Sequence, residues 1–223
     1  PTGIADLLPR AAAKHGHRPA VMYNEGGWKT RSYAEVGDTV RELAKGLMAL
    51  GVEKGDKVSI LANTRPEWSY YDFAALSAGA TVVPIYQTNS PEECQYVLHD
   101  SDAKVVVVED EAQLEKVRAV RDTLPRLEHV ILMVGSADDA ISSADLAERG
   151  QAVEDSAWTA RYESVTGDDV CTFIYTSGTT GPPKGCVISH ANYRAMVDMV
   201  VSEDVVASGD VVYLFLPLAP SFR

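Results

Sequence analysis

Apolar residues recur along the chain at two spacings, and the change from one to the other marks a succession of strands and helices. Runs of β-branched and other apolar residues, which are typical of strands, lie at 57–62, 81–85, 105–108, 129–134, 170–174 and 211–216. Helical spacing of apolar residues appears after Ser32, Pro66, Ser90 and Asp110. Because strands and helices alternate at short intervals, the pattern predicts an α/β fold with a mostly parallel sheet and helices on both faces.

The predicted helices begin at recognisable capping residues. Ser32 with Glu35, and Ser90 with Glu93, have the spacing of a capping box, in which each residue satisfies an amide of the other. Pro66 stands at a first helical position, where its missing N–H is not needed. Glu35 and Glu93 are therefore interpreted as capping residues rather than as an acid–base pair.

Some regions lie outside the regular alternation. Residues 2–14 predict a short helix, and the segments 20–23 and 28–30 predict a hairpin. Residues 135–169 are polar and predict a connecting segment with one short helix at 145–149.

Residues 175–185, which read YTSGTTGPPKG, follow a predicted strand and contain the highest concentration of side chains able to bind a ligand. The glycines allow positive φ angles, so amide groups can converge on an anion. The hydroxyls add hydrogen-bond donors, and Lys184 adds a mobile positive charge. This combination favours a polyphosphate ligand, and open parallel sheets bind ligands beyond the carboxyl ends of their strands.

Two other interpretations of this segment are weaker. A plain surface turn uses the same residue types, but it does not need several hydroxyls, several glycines and a lysine together. A Walker A loop would require glycine where Pro183 stands and a hydroxyl where Gly185 stands. For any one hydroxyl of Ser177, Thr179 and Thr180, phosphate contact and capping of the segment's own backbone remain equal alternatives.

Residues 175–185 resemble the phosphate-loop signature of the adenylate-forming superfamily, which includes acyl-CoA synthetases, peptide-synthetase adenylation domains and firefly luciferases. The resemblance extends over nearly the whole chain and includes Ser189 and His190. Residues 85–93 (IYQTNSPEE) and 100–106 (DSDAKVV) are similar to the long-chain fatty acyl-CoA synthetase branch.

The resemblance implies a reaction in two steps. A fatty carboxylate attacks the α-phosphate of ATP in the presence of Mg²⁺ and releases pyrophosphate. The thiol of coenzyme A then attacks the acyl-adenylate, and AMP leaves. The residues that the resemblance assigns to the β- and γ-phosphates are Thr176, Ser177, Gly178, Thr179, Thr180, Gly181 and Lys184. No catalytic residue and no metal ligand is assigned within the chain.

The family's motifs for adenine, ribose, the metal-binding glutamate, the hinge and the C-terminal catalytic lysine do not occur in the 223 residues. The resemblance therefore predicts that residues 1–223 are the N-terminal α/β portion of an AMP-binding domain and do not complete a turnover alone. Pro220 stands where relatives usually carry a histidine near the acyl site, so this motif does not fix the acid. Two alternatives remain: an adenylating domain for another acid or a carrier protein, and a non-catalytic nucleotide-binding fragment.

Composition narrows the range of partners. A net charge of −12 and a pI of about 4.8 argue against nucleic acid. ATP binding is compatible with this charge, because charges beyond roughly 8 Å are largely screened at physiological ionic strength. No apolar run approaches the roughly 18 residues of a membrane span, and no targeting signal is recognisable, so the cytoplasm is the expected compartment. Peripheral membrane contact is left open.

Cysteines and histidines indicate no further chemistry. Cys94, Cys171 and Cys186 lie in predicted helices or strands, which favours buried thiols over disulfides. His190 is interpreted as a structural histidine, since no acidic or cysteine partner lies close to it in sequence, and the other histidines lack ligand spacing.

Overall fold

The computed structural model describes residues 3–176, 182–203 and 205–219. Its helices are α1 (Leu7–His15), α2 (Tyr33–Ala49), α3 (Pro66–Ser77), α4 (Pro91–Asp100), α5 (Glu111–Arg118), α6 (Ser143–Gly150), α7 (Asp155–Glu163) and α8 (His190–Ser202). Its strands are β1 (Pro19–Asn24), β2 (Trp28–Ser32), β3 (Lys57–Leu61), β4 (Thr81–Ile85), β5 (Val105–Val108), β6 (His129–Leu132), β7 (Ile141–Ser142), β8 (Val170–Thr176) and β9 (Lys184–Ser189).

One large sheet organises the fold. Seven strands follow the order β7-β6-β5-β3-β4-β8-β9, while β1 and β2 form the predicted antiparallel hairpin. Every neighbouring pair in the large sheet is parallel except β8 with β9. The predicted mostly parallel sheet is therefore confirmed.

Helices cover this sheet on both faces, as the sequence predicts. Val105 and Val107 of β5 belong to a core formed with α2 and α3. Val106 and Val108 belong to a second core formed with α4 and α5. Successive strand side chains point to opposite faces, so a strand between two cores has to be apolar at every position.

The capping residues hold the helix starts in the predicted way. The Glu35 amide donates to Ser32 Oγ over 3.3 Å, and the Ser32 amide donates to Glu35 Oε2 over 2.7 Å. Ser90 and Glu93 form the same capping box at α4. These bonds satisfy amides that the first helical turn leaves without partners. The hydrogen bonds from Ser32 lower the pKa of Glu35, as expected for a carboxylate in a cap.

The short helix predicted at 145–149 is confirmed as α6, but residues 135–169 also hold β7 and α7, which the sequence did not predict. Helix α7 has no regular apolar stripe, and Trp158 is its one buried residue. Long-range bonds fix it instead: Trp158 Nε1 donates to Ser77 Oγ over 3.2 Å, and the Arg161 guanidinium donates to the Val52 carbonyl over 3.0 Å. Such contacts leave no periodic signal in the sequence.

The predicted strand at 211–216 is wrong for the structure described. Val211 is 81% exposed and Phe215 is 70% exposed, and the segment pairs with no strand of the described sheet. β-branched and aromatic residues favour a strand only where a neighbouring strand supplies ladder bonds and a packing surface.

Two helix boundaries also differ from the predictions. Helix α1 begins at Leu7 rather than near residue 2, because Pro9 lacks an N–H and is tolerated only within the first turn. Helix α8 begins at His190, where Ser189 and Asn192 form a third capping box. No helix in the described part of the chain is both long and apolar enough to cross a bilayer.

Candidate functional site

Strands β8 and β9 form the hairpin that carries the predicted phosphate segment. Strand β8 runs parallel to β4, with Thr172 opposite Val82, so both end at the same edge of the sheet. Strand β9 returns antiparallel, and the ladder ends at the pair Thr176 and Lys184. Thr176 and Lys184, the strand ends that flank the connection, therefore lie at the carboxyl edge of the sheet, where α/β proteins bind ligands.

The structure describes two of the predicted phosphate-binding residues, Thr176 and Lys184. Both are exposed, and they face each other across the two strands. Within the described residues, Lys184 makes no ion pair, whereas Lys45 and Lys104 each bind an aspartate. The predicted residues outside the described part are Ser177, Gly178, Thr179, Thr180 and Gly181.

Helix α4 contacts the hairpin on both sides of this segment. The Tyr96 hydroxyl donates to the Pro183 carbonyl over 2.8 Å, and the Tyr175 hydroxyl donates to Asp100 Oδ2 over 2.7 Å. Burial, together with the Asp100 hydrogen bond, raises the pKa of Tyr175 above its usual range, so its hydroxyl stays a neutral donor. Neither Tyr96 nor Asp100 can be identified from the motif; only their i, i+4 spacing places them on one helix face.

Sequence comparison places the chain among known proteins. The family model described as "AMP-binding enzyme" matches residues 8–222. The chain belongs to this family. It is 38% identical over 197 residues to long-chain-fatty-acid--CoA ligase FadD15 of Mycobacterium bovis, a match that covers 87% of this chain and 32% of the relative. It is 34% identical over 197 residues to long-chain-fatty-acid--CoA ligase ACSBG1 of Rattus norvegicus, covering 86% of this chain and 27% of the relative.

Solved structures of CoA ligases share the fold. The anthranilate CoA ligase AuaEII in complex with anthranoyl-AMP has a TM-score of 0.76 at 26% identity, covering 88% of this chain and 36% of that one. A long-chain-fatty-acid-CoA ligase (FadD1) from Archaeoglobus fulgidus has a TM-score of 0.74 at 26% identity, covering 91% and 40%. The resemblance to adenylate-forming ligases is thus confirmed, although the chain spans only 27% to 32% of the two curated relatives.

His190 is a structural histidine, as the sequence predicts. It is 1% exposed, and its Nδ1 accepts a hydrogen bond from the Ile4 amide over 3.3 Å. The His190 amide donates to the Asp169 carbonyl. Burial lowers the pKa of His190, which keeps the ring neutral so that Nδ1 can accept. This histidine of the AMP-binding signature therefore ties the N-terminal segment to the start of α8.

The prediction of buried thiols holds for two of the three cysteines. Burial raises the pKa of Cys94 and of Cys171 to about 12, so both remain protonated. For Cys186 the prediction is wrong, because this residue lies exposed on β9. Strand β9 is an edge strand of the large sheet. Side chains on an edge strand are buried only where another element covers them.

The described residues hold no group of three or more His, Cys, Asp or Glu side chains able to bind a metal ion. Mg²⁺ that accompanies a nucleotide is usually held by phosphate oxygens, water and one or two carboxylates, so it does not require such a group.

Asp72 on α3 is a half-buried titratable group that the motif does not reveal. Burial raises the pKa of Asp72 to about 7, with no charged partner among the described residues to offset it. Burial also raises the pKa of Cys171 and of Tyr193, and the charge of Asp72 adds to both of these shifts.

We expect Asp72 to make the stability of the fold depend on pH. Because its pKa is higher in the folded than in the unfolded chain, the folded chain binds the extra proton between about pH 4 and 7. The free energy of unfolding should therefore fall as the pH rises through this window. Urea unfolding at pH 5, 6, 7 and 8 measures this, with Asp72→Asn as the comparison. The difference between the variant and the parent should grow with pH; a constant difference would contradict the assignment.

Proposed function

We propose that this chain supplies the phosphate-binding hairpin of an ATP-dependent acyl-CoA ligase that activates a fatty acid. The observation that carries the proposal is the position of Lys184, an exposed lysine without an ion pair in the described residues. It stands beside Thr176 at the carboxyl edge of the sheet. The similarity to two long-chain-fatty-acid--CoA ligases supports a fatty acid as the substrate.

In this proposal the hairpin acts on the polyphosphate of ATP. The fatty carboxylate attacks the α-phosphorus, the bond to the bridging oxygen breaks, and pyrophosphate leaves with the negative charge. Lys184 and the donors of Thr176 and residues 177–181 hold the β- and γ-phosphates and stabilise that charge as it develops. The coenzyme A thiol then attacks the acyl carbonyl of the adenylate, and AMP is the leaving group.

We further propose that residues 1–223 form the N-terminal α/β portion of the AMP-binding domain. The greater part of each curated relative lies outside the match. We therefore expect these 223 residues by themselves to bind ATP but not to complete a turnover. An ATP–pyrophosphate exchange assay with palmitate tests this expectation, and robust exchange by the 223-residue chain would contradict it.

A direct test of the phosphate site is the thermal stability of the chain with three ligands. ATP and inorganic pyrophosphate should each raise the unfolding temperature, and adenosine, which lacks phosphates, should not. A ligand at one hundred times its dissociation constant adds about 2.7 kcal/mol, which for a domain of this size is a shift of several degrees. Equal shifts with ATP and adenosine, or none with either phosphate ligand, would argue against the proposal.

A second candidate is the activation of another acid, and one observation favours it. The anthranilate CoA ligase AuaEII, whose structure was solved in complex with anthranoyl-AMP, matches this fold at 26% identity. Pro220, which bears on the acid, lies outside the described residues. A longer protein that carries these residues can be assayed with palmitate and with anthranilate, using coenzyme A or a carrier protein as acceptor. The acid and acceptor that yield thioester and AMP decide between the candidates.

A further inference from the structure

Tyr96 and Asp100 stand one turn apart on α4, and each contacts a different strand of the β8–β9 hairpin. Tyr96 donates to the carbonyl of Pro183, immediately before β9, over 2.8 Å. Asp100 accepts from the hydroxyl of Tyr175, the penultimate residue of β8, over 2.7 Å. Both ends of the connection between the strands are thus bonded to the same face of one helix.

The bond from Tyr96 lies just beyond the end of the β8–β9 ladder. The ladder between β8 and β9 ends at the pair Thr176 and Lys184. Pro183 lies one residue beyond it, and there the Tyr96 hydroxyl supplies a bond to the backbone. Pro183 itself has a fixed φ angle. The backbone directly before Lys184 is therefore held by the ladder on one side and by α4 on the other.

Tyr175 links the same helix to the opposite strand through packing. Its side chain is 1% exposed, and its ring meets the Tyr96 ring edge-on at a centroid distance of 6.3 Å. A Cβ atom added at Gly185, the ladder partner of Tyr175, would lie 3.2 Å from the Tyr175 ring. The absence of a side chain at Gly185 therefore lets the buried ring lie against β9, with its hydroxyl on Asp100.

Helix α4 is itself held in place by the core and by its capping box. Cys94, Val97 and Leu98 are buried in the core between α4 and the sheet. The capping box of Ser90 and Glu93 fixes its first turn. A group that hydrogen-bonds to such a helix loses little additional freedom when a ligand arrives, which is the physical basis of preorganisation.

We propose that Tyr96 and Asp100 are positioning residues that hold Pro183 and Tyr175 and so set Lys184 in place for a polyphosphate. The inference rests on the proposed function, because it gives these residues a role in binding that same ligand. Neither residue contacts the ligand in this proposal. They act through Pro183 and Tyr175.

The test is the affinity of the 223-residue chain for inorganic pyrophosphate and for ATP, measured by titration calorimetry well below the unfolding temperature. Tyr96→Phe removes one hydroxyl and keeps the ring, and it should weaken both affinities roughly threefold to tenfold, the loss of one hydrogen bond. Asp100→Ala should weaken them at least as much. Asp100→Asn, which keeps a carbonyl acceptor for Tyr175, should recover part of the loss.

Tyr71→Phe is the matched control. Its hydroxyl makes a 2.8 Å hydrogen bond with Ser143 on α6, and its side chain is as buried as that of Tyr175. This variant removes the same chemical group away from the hairpin and should leave both affinities unchanged. Combining Tyr96→Phe with Lys184→Ala gives a second control, because two residues that act through one contact have non-additive effects. Tyr96→Phe should then add little to the loss caused by Lys184→Ala.

The outcomes separate this inference from the proposed function. If the parent binds neither pyrophosphate nor ATP, the proposed function fails. If the parent binds and Lys184→Ala weakens binding, but Tyr96→Phe and Asp100→Ala bind as the parent does, only the positioning role is overturned. A lower unfolding temperature with unchanged affinities likewise reduces the two residues to a structural role. Should Asp100→Ala fail to fold, Tyr96→Phe and Asp100→Asn still decide the matter.

Discussion

Lys184→Ala is expected to weaken the binding of ATP and pyrophosphate to this chain by roughly tenfold to a hundredfold. A hydrogen bond to a charged group contributes about 1.5–3 kcal/mol, which corresponds to this range. The side chain is exposed at the carboxyl edge of the sheet, and no carboxylate of the described residues neutralises it. Its removal should therefore affect the ligand far more than the fold.

Titration calorimetry with both ligands measures this loss, and the unfolding temperature without ligand should remain near that of the parent. Lys14→Ala is the matched control, since it removes the same charge from the exposed end of α1. It should leave binding unchanged. Lys184→Arg keeps the charge but changes its shape, so it should retain an intermediate affinity. Equal losses for Lys14→Ala and Lys184→Ala would show that only the overall charge matters.

Gly46→Ala is expected to lower the free energy of unfolding by about 2 kcal/mol, although alanine is the better helix former. Helices α2 and α6 approach so closely here that an added Cβ would lie 2.6 Å from Leu146 Cγ and 2.9 Å from the Leu146 carbonyl carbon. Overpacking of this kind costs about 3 kcal/mol, against a gain in helix propensity of about 1 kcal/mol. The backbone of α6 cannot move aside as a flexible side chain can.

The sign of the change in unfolding free energy tests whether α6 packs on α2. If α6 did not pack on α2, Gly46→Ala would stabilise the protein, because only helix propensity would act. Urea unfolding measures the difference, and Glu42→Ala is the control, because it changes an exposed side chain one turn before Gly46 and adds no atom to the contact with α6. The control should stay within about 0.5 kcal/mol of the parent. A stabilised Gly46→Ala variant would mean that the α2–α6 contact is absent in solution.

Much of the fold could be predicted because its signals are local. The Ser90 and Glu93 cap lies within one turn, and its residue types are specific to a helix start. The all-valine run of β5 predicts a strand between two cores, since alternate side chains must bury on opposite faces. The strand that precedes residues 175–185 was also predicted from the sequence, whereas its antiparallel pairing with β9 was not.

Other features could not be predicted because they depend on elements distant in sequence. The apolar run 211–216 has the composition of a strand, but its state depends on a partner strand that no local pattern reveals. Cys186 is apolar in character and yet exposed, because burial at a sheet edge depends on what covers that edge. The raised pKa of Asp72 likewise comes from burial, which depends on the packing of elements distant in sequence.

For this protein, the sequence alone determined the alternation of strands and helices, the helix starts and the resemblance of residues 175–185 to the signature of the adenylate-forming superfamily. These features depend on residues a few positions apart, so their spacing and their hydrogen bonds can be predicted from the local sequence. Only the tertiary structure decided which residues support the hairpin. Tyr96 and Pro183 are 87 positions apart, and Asp100 and Tyr175 are 75 apart, so the folding of the sheet alone brings them together.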